Sequence, residues 1–186
     1  MEFIINEDGV LEGIVFEARA DIIIPDGVRN IGEGEFLEAV MLEEVVIPDN
    51  VTGIGDGAFA GNDLIARVEI PDSVEYIGNK SFYDCYSLLS VRMGSGVTHI
   101  CDDTFADCNQ LESIELSKRL IHIGDRAFAW CESLKELSIS SSVEYIGERA
   151  FYGCSENLVL QFPASCYLEG YATDNDIKFK HYEMQS

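Results

Sequence analysis

The architecture of this 186-residue chain is set by a stretch that reads Val74-Glu-Tyr-Ile-Gly-Asn-Lys-Ser-Phe82-Tyr-Asp-Cys85-Tyr-Ser-Leu88-Leu-Ser-Val91. Its centre, Ile-Gly-x-x-x-Phe, returns every 23 residues without an insertion, and Cys101 replaces the Gly in one copy. The six copies lie at Ile31/Phe36, Ile54/Phe59, Ile77/Phe82, Ile100/Phe105, Ile123/Phe128 and Ile146/Phe151. A fixed period of this length predicts a solenoid in which each unit stacks on the next.

Each unit combines two hydrophobic periods. The segment Leu-x-x-Val-x-Ile alternates at its end, which predicts a strand with one buried face. The stretch from Gly124 to Cys131 places its apolar residues on one side of about one and a half helical turns. A short helical turn is therefore expected in each unit. Its N-cap is expected at one repeat position, occupied by Asp56, Asn79, Asp102 and Asp125.

The repeat phase is lost at both ends of the chain. We therefore expect a single domain with an N-terminal cap at residues 1–21, six 23-residue coils at 22–162 and a C-terminal cap at 163–186. In the first cap, Asp8-Gly9 between apolar runs predicts a hairpin formed by residues 3–5 and 10–16. In the second, Tyr167 and Tyr171 predict a short helix, and residues 177–180 a final strand.

The charge and composition exclude several classes of protein. The chain has 12 Lys and Arg against 34 Asp and Glu, a net charge of −22, yet 47% of its residues are apolar, which excludes intrinsic disorder. A strongly acidic chain is repelled by nucleic acids and anionic membrane surfaces. No run of 18 apolar residues exists, so no transmembrane helix and no membrane insertion are predicted.

The first residues are not expected to form a signal peptide. The sequence as written is therefore expected to be cytoplasmic, or secreted or surface-located if an export signal has been removed.

The repeat unit Val-x-x-Ile-Gly-x-x-Ala-Phe-x-x-Cys-x-x-Leu-x-x-Val-x-Ile-Pro resembles the BspA-type leucine-rich repeats. This resemblance covers nearly the whole chain and implies an α/β solenoid, a leucine-rich-repeat right-handed superhelix with parallel β-strands, short helical turns and two caps. Members of that family are similar to surface and secreted adhesion proteins of bacteria and some protozoa, which bind host or partner proteins. The chain departs from the family in two ways: it has no export signal or wall anchor, and its later strands lose the Pro at Gly94, Ser117 and Ser140.

Two surface strips are candidates for partner binding. The outward strand positions carry mixed charge with apolar residues near the ends, which suits a protein partner. They are Asp21/Ile23, Glu44/Val46, Arg67/Glu69, Ser90/Arg92, Ser113/Glu115, Glu136/Ser138 and Val159/Gln161. A second strip, the aromatic ladder, has Tyr76, His99, His122 and Tyr145 in successive coils at about 4.8 Å spacing. The strand positions are either a contact surface for a protein or merely a solvated face. The aromatic ladder is either a strip for protein or glycan contact or side-chain stacking on an exposed row.

The cysteines and histidines are the residues that offer chemistry. Cys85, Cys108, Cys131 and Cys154 share one repeat position and predict an inward column of small thiols, although disulfides between neighbours stay open. Cys101, His99 and His122 are conceivable as a nucleophile with its base, or as a metal site, but no third group is specified. Trp130 is expected to be partly exposed and is a candidate contact residue.

These observations together predict a non-enzymatic module for protein–protein interaction or adhesion, with a basic or mixed-charge partner. The residues expected to bind are Arg67, Glu69, Arg92, Glu115 and Glu136 of the strand surface and the four residues of the ladder. No cofactor and no catalytic residue is expected, and the chain is predicted to be a monomer. The alternative is a cysteine/histidine enzyme or metal-binding protein that uses Cys101, His99 and His122.

Overall fold

Two short parallel strands in each coil build the fold. The computed structural model of the protein describes residues 2–15, 22–36, 42–164 and 167–182, so Phe16 and Asp21 of the predicted hairpin and strip lie outside the described residues. Its elements are β1 (Glu2–Ile5), β2 (Val10–Val15), β3 (Ile22–Ile23), β4 (Asn30–Ile31), β5 (Val45–Val46), β6 (Gly53–Ile54), β7 (Arg67–Ile70), β8 (Tyr76–Ile77), β9 (Ser90–Met93), β10 (His99–Ile100), β11 (Ser113–Glu115), β12 (His122–Ile123), β13 (Glu136–Ser138), β14 (Tyr145–Ile146), β15 (Val159–Phe162), α1 (Leu168–Asp174) and β16 (Lys178–His181).

The strands stack into two sides of a parallel solenoid, which confirms the predicted fold class. On one side, β1, β2 and the even-numbered strands β4 to β14 form one sheet in the order β1-β2-β4-β6-β8-β10-β12-β14. On the other side lie the pairs and triplets β3-β5, β7-β9-β11 and β13-β15-β16. Equivalent residues of successive coils are paired in register, as in His99 with His122. Any feature at one repeat position therefore becomes a column along the molecule.

The ends of the solenoid contain the elements expected from their sequences. β1 and β2 form an antiparallel hairpin, in which Gly9 adopts a φ of 76° at the turn. At the other end, α1 buries Leu168 and Ala172, and β16 pairs in parallel with β15. No described helix is long and apolar enough to cross a membrane.

A column of phenylalanine rings forms the centre of the core. Phe36, Phe59, Phe82, Phe105 and Phe128 are fully buried, and their rings stack with centroids 4.8–5.6 Å apart. Offset-parallel aromatic contacts at this distance are favourable beyond the area that they bury. The Phe that recurs every 23 residues therefore points inward in each of these coils.

The segments between Gly and Cys are turns, and the predicted helical turns are wrong. In the fifth coil, Arg126 and Trp130 have φ values of 51° and 62°, which no right-handed helix contains. The amides of Arg126, Phe128 and Trp130 donate to carbonyls of the next coil, whereas the residues between them bond three residues back in their own coil. Every second backbone amide of the turn is therefore bonded to a neighbouring coil and is not free to form the hydrogen bonds of an α-helix.

The predicted N-cap residues accept hydrogen bonds from a neighbouring coil. Oδ1 of Asp56 accepts from the backbone N–H of Asn79 at 2.7 Å, and Asn79, Asp102 and Asp125 each accept from the amide 23 residues later. A short side chain with an acceptor is required at this position because it satisfies an amide across the stack. The prediction that these residues accept hydrogen bonds from backbone amides is confirmed. The prediction that those amides belong to a helix in the same coil is wrong.

Candidate binding surfaces

The outward residues of β3, β5, β7, β9, β11, β13 and β15 form the strand strip. In β9 the alternation is clear, since Val91 and Met93 are buried whereas Arg92 is exposed and Ser90 is half-buried. Register pairing sets Glu69 beside Arg92, and Arg92 beside Glu115. In β7, β9 and β11, each coil thus contributes two outward residues to one continuous surface.

Charges on the strand strip pair with each other across the strands. Arg92 lies 3.7 Å from a carboxylate oxygen of Glu69 and 3.7 Å from one of Glu115, and all three side chains are mostly exposed. Glu136 accepts hydrogen bonds from Lys180 at 3.0 Å and from Gln161 at 2.7 Å. The bond from Lys180 lowers the pKa of Glu136 below its usual value. Exposed pairs of this kind contribute little to stability, so these side chains can exchange partners at low cost.

An aliphatic pair continues the strip at its N-terminal end. Ile23 and Val46 are register partners in β3 and β5, and they are 69% and 48% exposed. One surface depression beside them is lined by Val46, Arg67 and Glu69, and another runs between Glu115 and Glu136. Large exposed aliphatic side chains next to charged groups are typical of the centre and rim of a protein-binding surface.

The aromatic ladder is present, but it is divided into two parts. His99 and His122 stack with ring centroids 5.6 Å apart, and His122 and Tyr145 stack at 4.7 Å. Tyr76 instead lies across Gly53, where an added Cβ would be 2.2 Å from its ring, and its hydroxyl reaches Oδ1 of Asn30 at 3.5 Å. The two tyrosines are about half exposed, at 46% and 48%. Burial and the neighbouring His99 lower the pKa of His122.

Within the described residues, no hydrogen bond joins Cys101 to His99 or His122, the three residues of the alternative cysteine/histidine site. The histidines are adjacent, but the charges that act on Cys101 are the carboxylates of Asp56 and Asp102. Burial, followed by these carboxylates, raises the pKa of Cys101, which is the opposite of what activates a nucleophilic thiol. Over the described ranges, no three His, Cys, Asp or Glu residues are grouped so that they could hold a metal ion.

The column of inward thiols is confirmed at Cys85, Cys108 and Cys131, whereas Cys154 is half-buried, and Asn62 extends the column by one coil. Sγ of Cys85, Cys108 and Cys131 is buried and donates to the carbonyl of the Phe 26 residues earlier at 3.1–3.2 Å. Burial raises the pKa of Cys85 to about 12. Asn62 lies 23 residues before Cys85 and donates from Nδ2 to the carbonyls of Phe36 and Phe59 at 2.6 and 2.7 Å. The position therefore requires a small side chain with a donor, and the 23-residue phase was the signal for Asn62.

A pair of exposed aromatic side chains on the turns was also missed as a unit. Trp130 and Tyr152 belong to neighbouring coils, and their rings meet edge to face with centroids 5.3 Å apart. They are 43% and 53% exposed, which confirms the expectation that Trp130 is partly exposed. Their separation of 22 residues, one less than the repeat, was the signal that they are neighbours.

Comparison with known proteins agrees with this geometry. The sequence model of the BspA type Leucine rich repeat region matches residues 18–108 and 76–185, with six copies. A search of curated proteins finds no significant match.

Three solved structures share the fold. The T. pallidum leucine-rich repeat protein TpLRR has 22% identity and a TM-score of 0.63, over 86% of this chain and 67% of its own. A leucine-rich repeat protein from Eubacterium ventriosum has 24% identity and a TM-score of 0.62, over 82% and 50%. One from Bacteroides ovatus has 24% identity and a TM-score of 0.52, over 88% and 54%. The chain thus spans half to two thirds of the length of these proteins. With nearly all of its residues matched by the family's own sequence model, the chain belongs to the BspA-type leucine-rich-repeat family.

Proposed function

We propose that this protein is a non-enzymatic, adhesion-type interaction module that binds a basic or mixed-charge partner protein through the strand strip. The observation that carries this proposal is the continuity of the strip, whose outward side chains are paired in register from β7 to β11. Solenoids of stacked repeats present extended surfaces of this kind to protein partners. Family membership supports the same class of function.

The composition of the strip supports the chemistry of the partner. Glu44, Glu69, Glu115 and Glu136 outnumber Arg67 and Arg92 among its described charges. Basic side chains of a partner would replace Arg92 between its two glutamates, and acidic ones would approach Arg67. Such exposed charges act mainly on association rate and specificity, whereas Ile23 and Val46 offer the apolar contact that contributes affinity.

The aromatic ladder is the alternative contact surface to the strand strip. Tyr76 and Tyr145 have half-exposed rings, which suit protein or glycan contact. The stacking among His99, His122 and Tyr145 equally supports a role in packing along the sheet. Variants in the two surfaces separate these possibilities.

The test is capture of partner proteins from cell and host extracts with matched variants. Glu69→Ser/Glu115→Ser copies Ser138, which occupies the same row of the strip, and Tyr76→Ala/Tyr145→Ala removes the ladder rings. We expect wild-type protein and the ladder variant to capture the same partner, the strip variant to lose it, and capture to weaken as salt rises. The partner is then purified and its affinity for all three proteins measured. Equal affinity for the strip variant would contradict the proposal.

Thiol reactivity tests the enzyme alternative. Since the pKa of Cys101 is raised, its thiol is protonated at neutral pH, and we expect slow modification by a disulfide reagent in the native protein. The matched control is Cys101→Gly, which restores the residue found in the other coils. A fast reaction that disappears in this variant would favour the enzyme.

A further inference from the structure

The proposed function leaves the turns of the last coils unexplained. Trp130 and Tyr152 meet there at an interplanar angle of 88°, so that their rings form two sides of an open corner. The guanidinium of Arg149 lies over the Tyr152 ring, 5.5 Å from its centroid. Trp130 donates its backbone N–H to the carbonyl of Tyr152, which fixes the two coils against each other. This aromatic corner is formed by turns and lies apart from the strands of both surfaces described above.

The turn at Trp130 carries an unusually large residue for its position. Trp130 has a φ of 62°, and the other described positions of this column hold Gly61, Asp84, Asp107 and Gly153, which are residue types that adopt this conformation readily. Burial does not explain the exception, because Trp130 remains 43% exposed. Its indole instead covers Gly153, where an added Cβ would lie 2.5 Å from Cε3. Lys80, Arg126 and Arg149 adopt the same left-handed conformation four positions earlier in the turns, so this conformation belongs to the repeat. What distinguishes this coil is the large aromatic ring that it holds at the surface.

We propose that the aromatic corner binds a neutral saccharide. Aromatic faces pack against the C–H groups of a pyranose ring, and nearby charged groups bond its hydroxyls. Here Arg149 is beside Tyr152, and Asp107 occupies the same column as Trp130 one coil earlier. The corner is formed by two neighbouring coils about 4.8 Å apart, so one pyranose ring can contact both aromatic side chains.

Two observations favour a neutral saccharide over other ligands. The acidic column of Asp84 and Asp107 and the net charge of −22 disfavour an acidic glycan. A protein partner is disfavoured because the exposed aliphatic side chains of the described residues lie elsewhere. Ile23 and Val46 are on the strand strip, Ile4 is in the hairpin, Ile121 is beside the ladder, and Leu64 is three coils before Trp130. Aromatic rings surrounded by charged groups, without an aliphatic rim, fit a hydroxylated ligand.

Fluorescence tests this proposal directly, since Trp130 is the only tryptophan in the chain. The intact protein is titrated with triacetylchitotriose, cellotriose and, as the acidic counterpart, 3′-sialyllactose. We expect a saturable change in emission with a neutral trisaccharide and none with sialyllactose. Absence of saturation with both neutral sugars, or equal binding of sialyllactose, would overturn the proposal.

The repeat supplies matched variants for the same test. Tyr152→Ala copies Ala129 of the preceding coil and should weaken saccharide binding about tenfold, since one aromatic contact is lost. Trp130→Asp copies Asp107 and should abolish the heat of binding in calorimetry. Tyr86→Ala, at an exposed tyrosine outside the corner, should leave both readouts unchanged. Unchanged affinity in Tyr152→Ala, in a protein with an unchanged melting temperature, would contradict the site, as would a captured partner protein that cross-links at Trp130.

Discussion

The inward and outward residues of the same strands follow different rules. At the inward position the coils carry Val68, Val91, Ile114, Leu137 and Leu160, all buried aliphatic side chains. One residue further along each strand, the outward position carries Glu69, Arg92, Glu115, Ser138 and Gln161. Each inward residue is enclosed in the core between its copies in the neighbouring coils, so it must be an apolar side chain. The outward residue has no such constraint, and binding specificity is therefore expected to lie in it.

The largest difference between the two regions is expected at the Phe column. Phe128→Ala should lower the free energy of unfolding by about 3–5 kcal/mol, because a fully buried ring in contact with rings on both sides leaves a cavity. Tyr145→Ala, at a half-exposed ring that stacks on His122, should cost about 1 kcal/mol. Chemical denaturation of both variants measures the difference. A loss below about 1 kcal/mol for Phe128→Ala would contradict an inward column.

A smaller effect is expected at the donor column. Asn62→Ala removes the donor to the buried carbonyls of Phe36 and Phe59 and should cost about 1–3 kcal/mol. Asn62→Cys restores the residue of the later coils, and it also removes Oδ1, a buried acceptor without a partner among the described residues. The Cys variant should therefore be more stable than the Ala variant in the same denaturation experiment. Equal stability of the two would show that the hydrogen bond is not what the position requires.

The strand strip should respond in the opposite manner. Arg92→Ser removes two exposed ion pairs, and the loss of unfolding free energy should be less than about 1 kcal/mol. The same change should strengthen capture of the partner protein, because it leaves Glu69 and Glu115 free for the partner's basic side chains. If Arg92→Ser lowered the stability and left capture unchanged, the outward residues would serve stability and not binding, which would contradict the proposed roles of the two regions.

The smallest effect is expected at the paired histidines. The pKa of His122 is lowered, so the unfolded chain binds more protons as the pH falls below about 6.5. Its contribution to stability is therefore complete above that pH and decreases as the pH falls through the lower folded-state pKa. His99→Asn copies Asn30, removes the like charge and should raise the pKa of His122, which NMR titration measures. No change on removal of His99 would leave burial as the sole cause.

The 23-residue phase in the sequence was sufficient to predict the inward columns, the strands and the order of residues along each surface. The conformation of the turns could not be predicted in the same way, because Gly124-Asp-Arg-Ala-Phe-Ala-Trp-Cys131 is compatible with a helix when considered alone. Its amides at Arg126, Phe128 and Trp130 are instead taken by carbonyls of the next coil, which is a long-range effect.

For the binding surfaces, the sequence predicted on which face each side chain lies but not which neighbours it contacts. Alternation placed Arg92 outward, but its pairing with Glu69 and Glu115 depends on side-chain conformations that register alone does not determine. Likewise, the repeat phase made Tyr76 the neighbour of both Gly53 and His99. It did not indicate that the tyrosine ring would pack against the glycine and not against the histidine.

Photo-cross-linking tests the proposed binding surface most directly. A photoreactive phenylalanine analogue is introduced at Ser113, an exposed residue at the centre of the strand strip, or at Glu144, an exposed residue beside the ladder. With the captured and purified partner, we predict a cross-link from position 113 and none from position 144. A cross-link from position 144 alone would show that the partner binds the opposite sheet and would contradict the account.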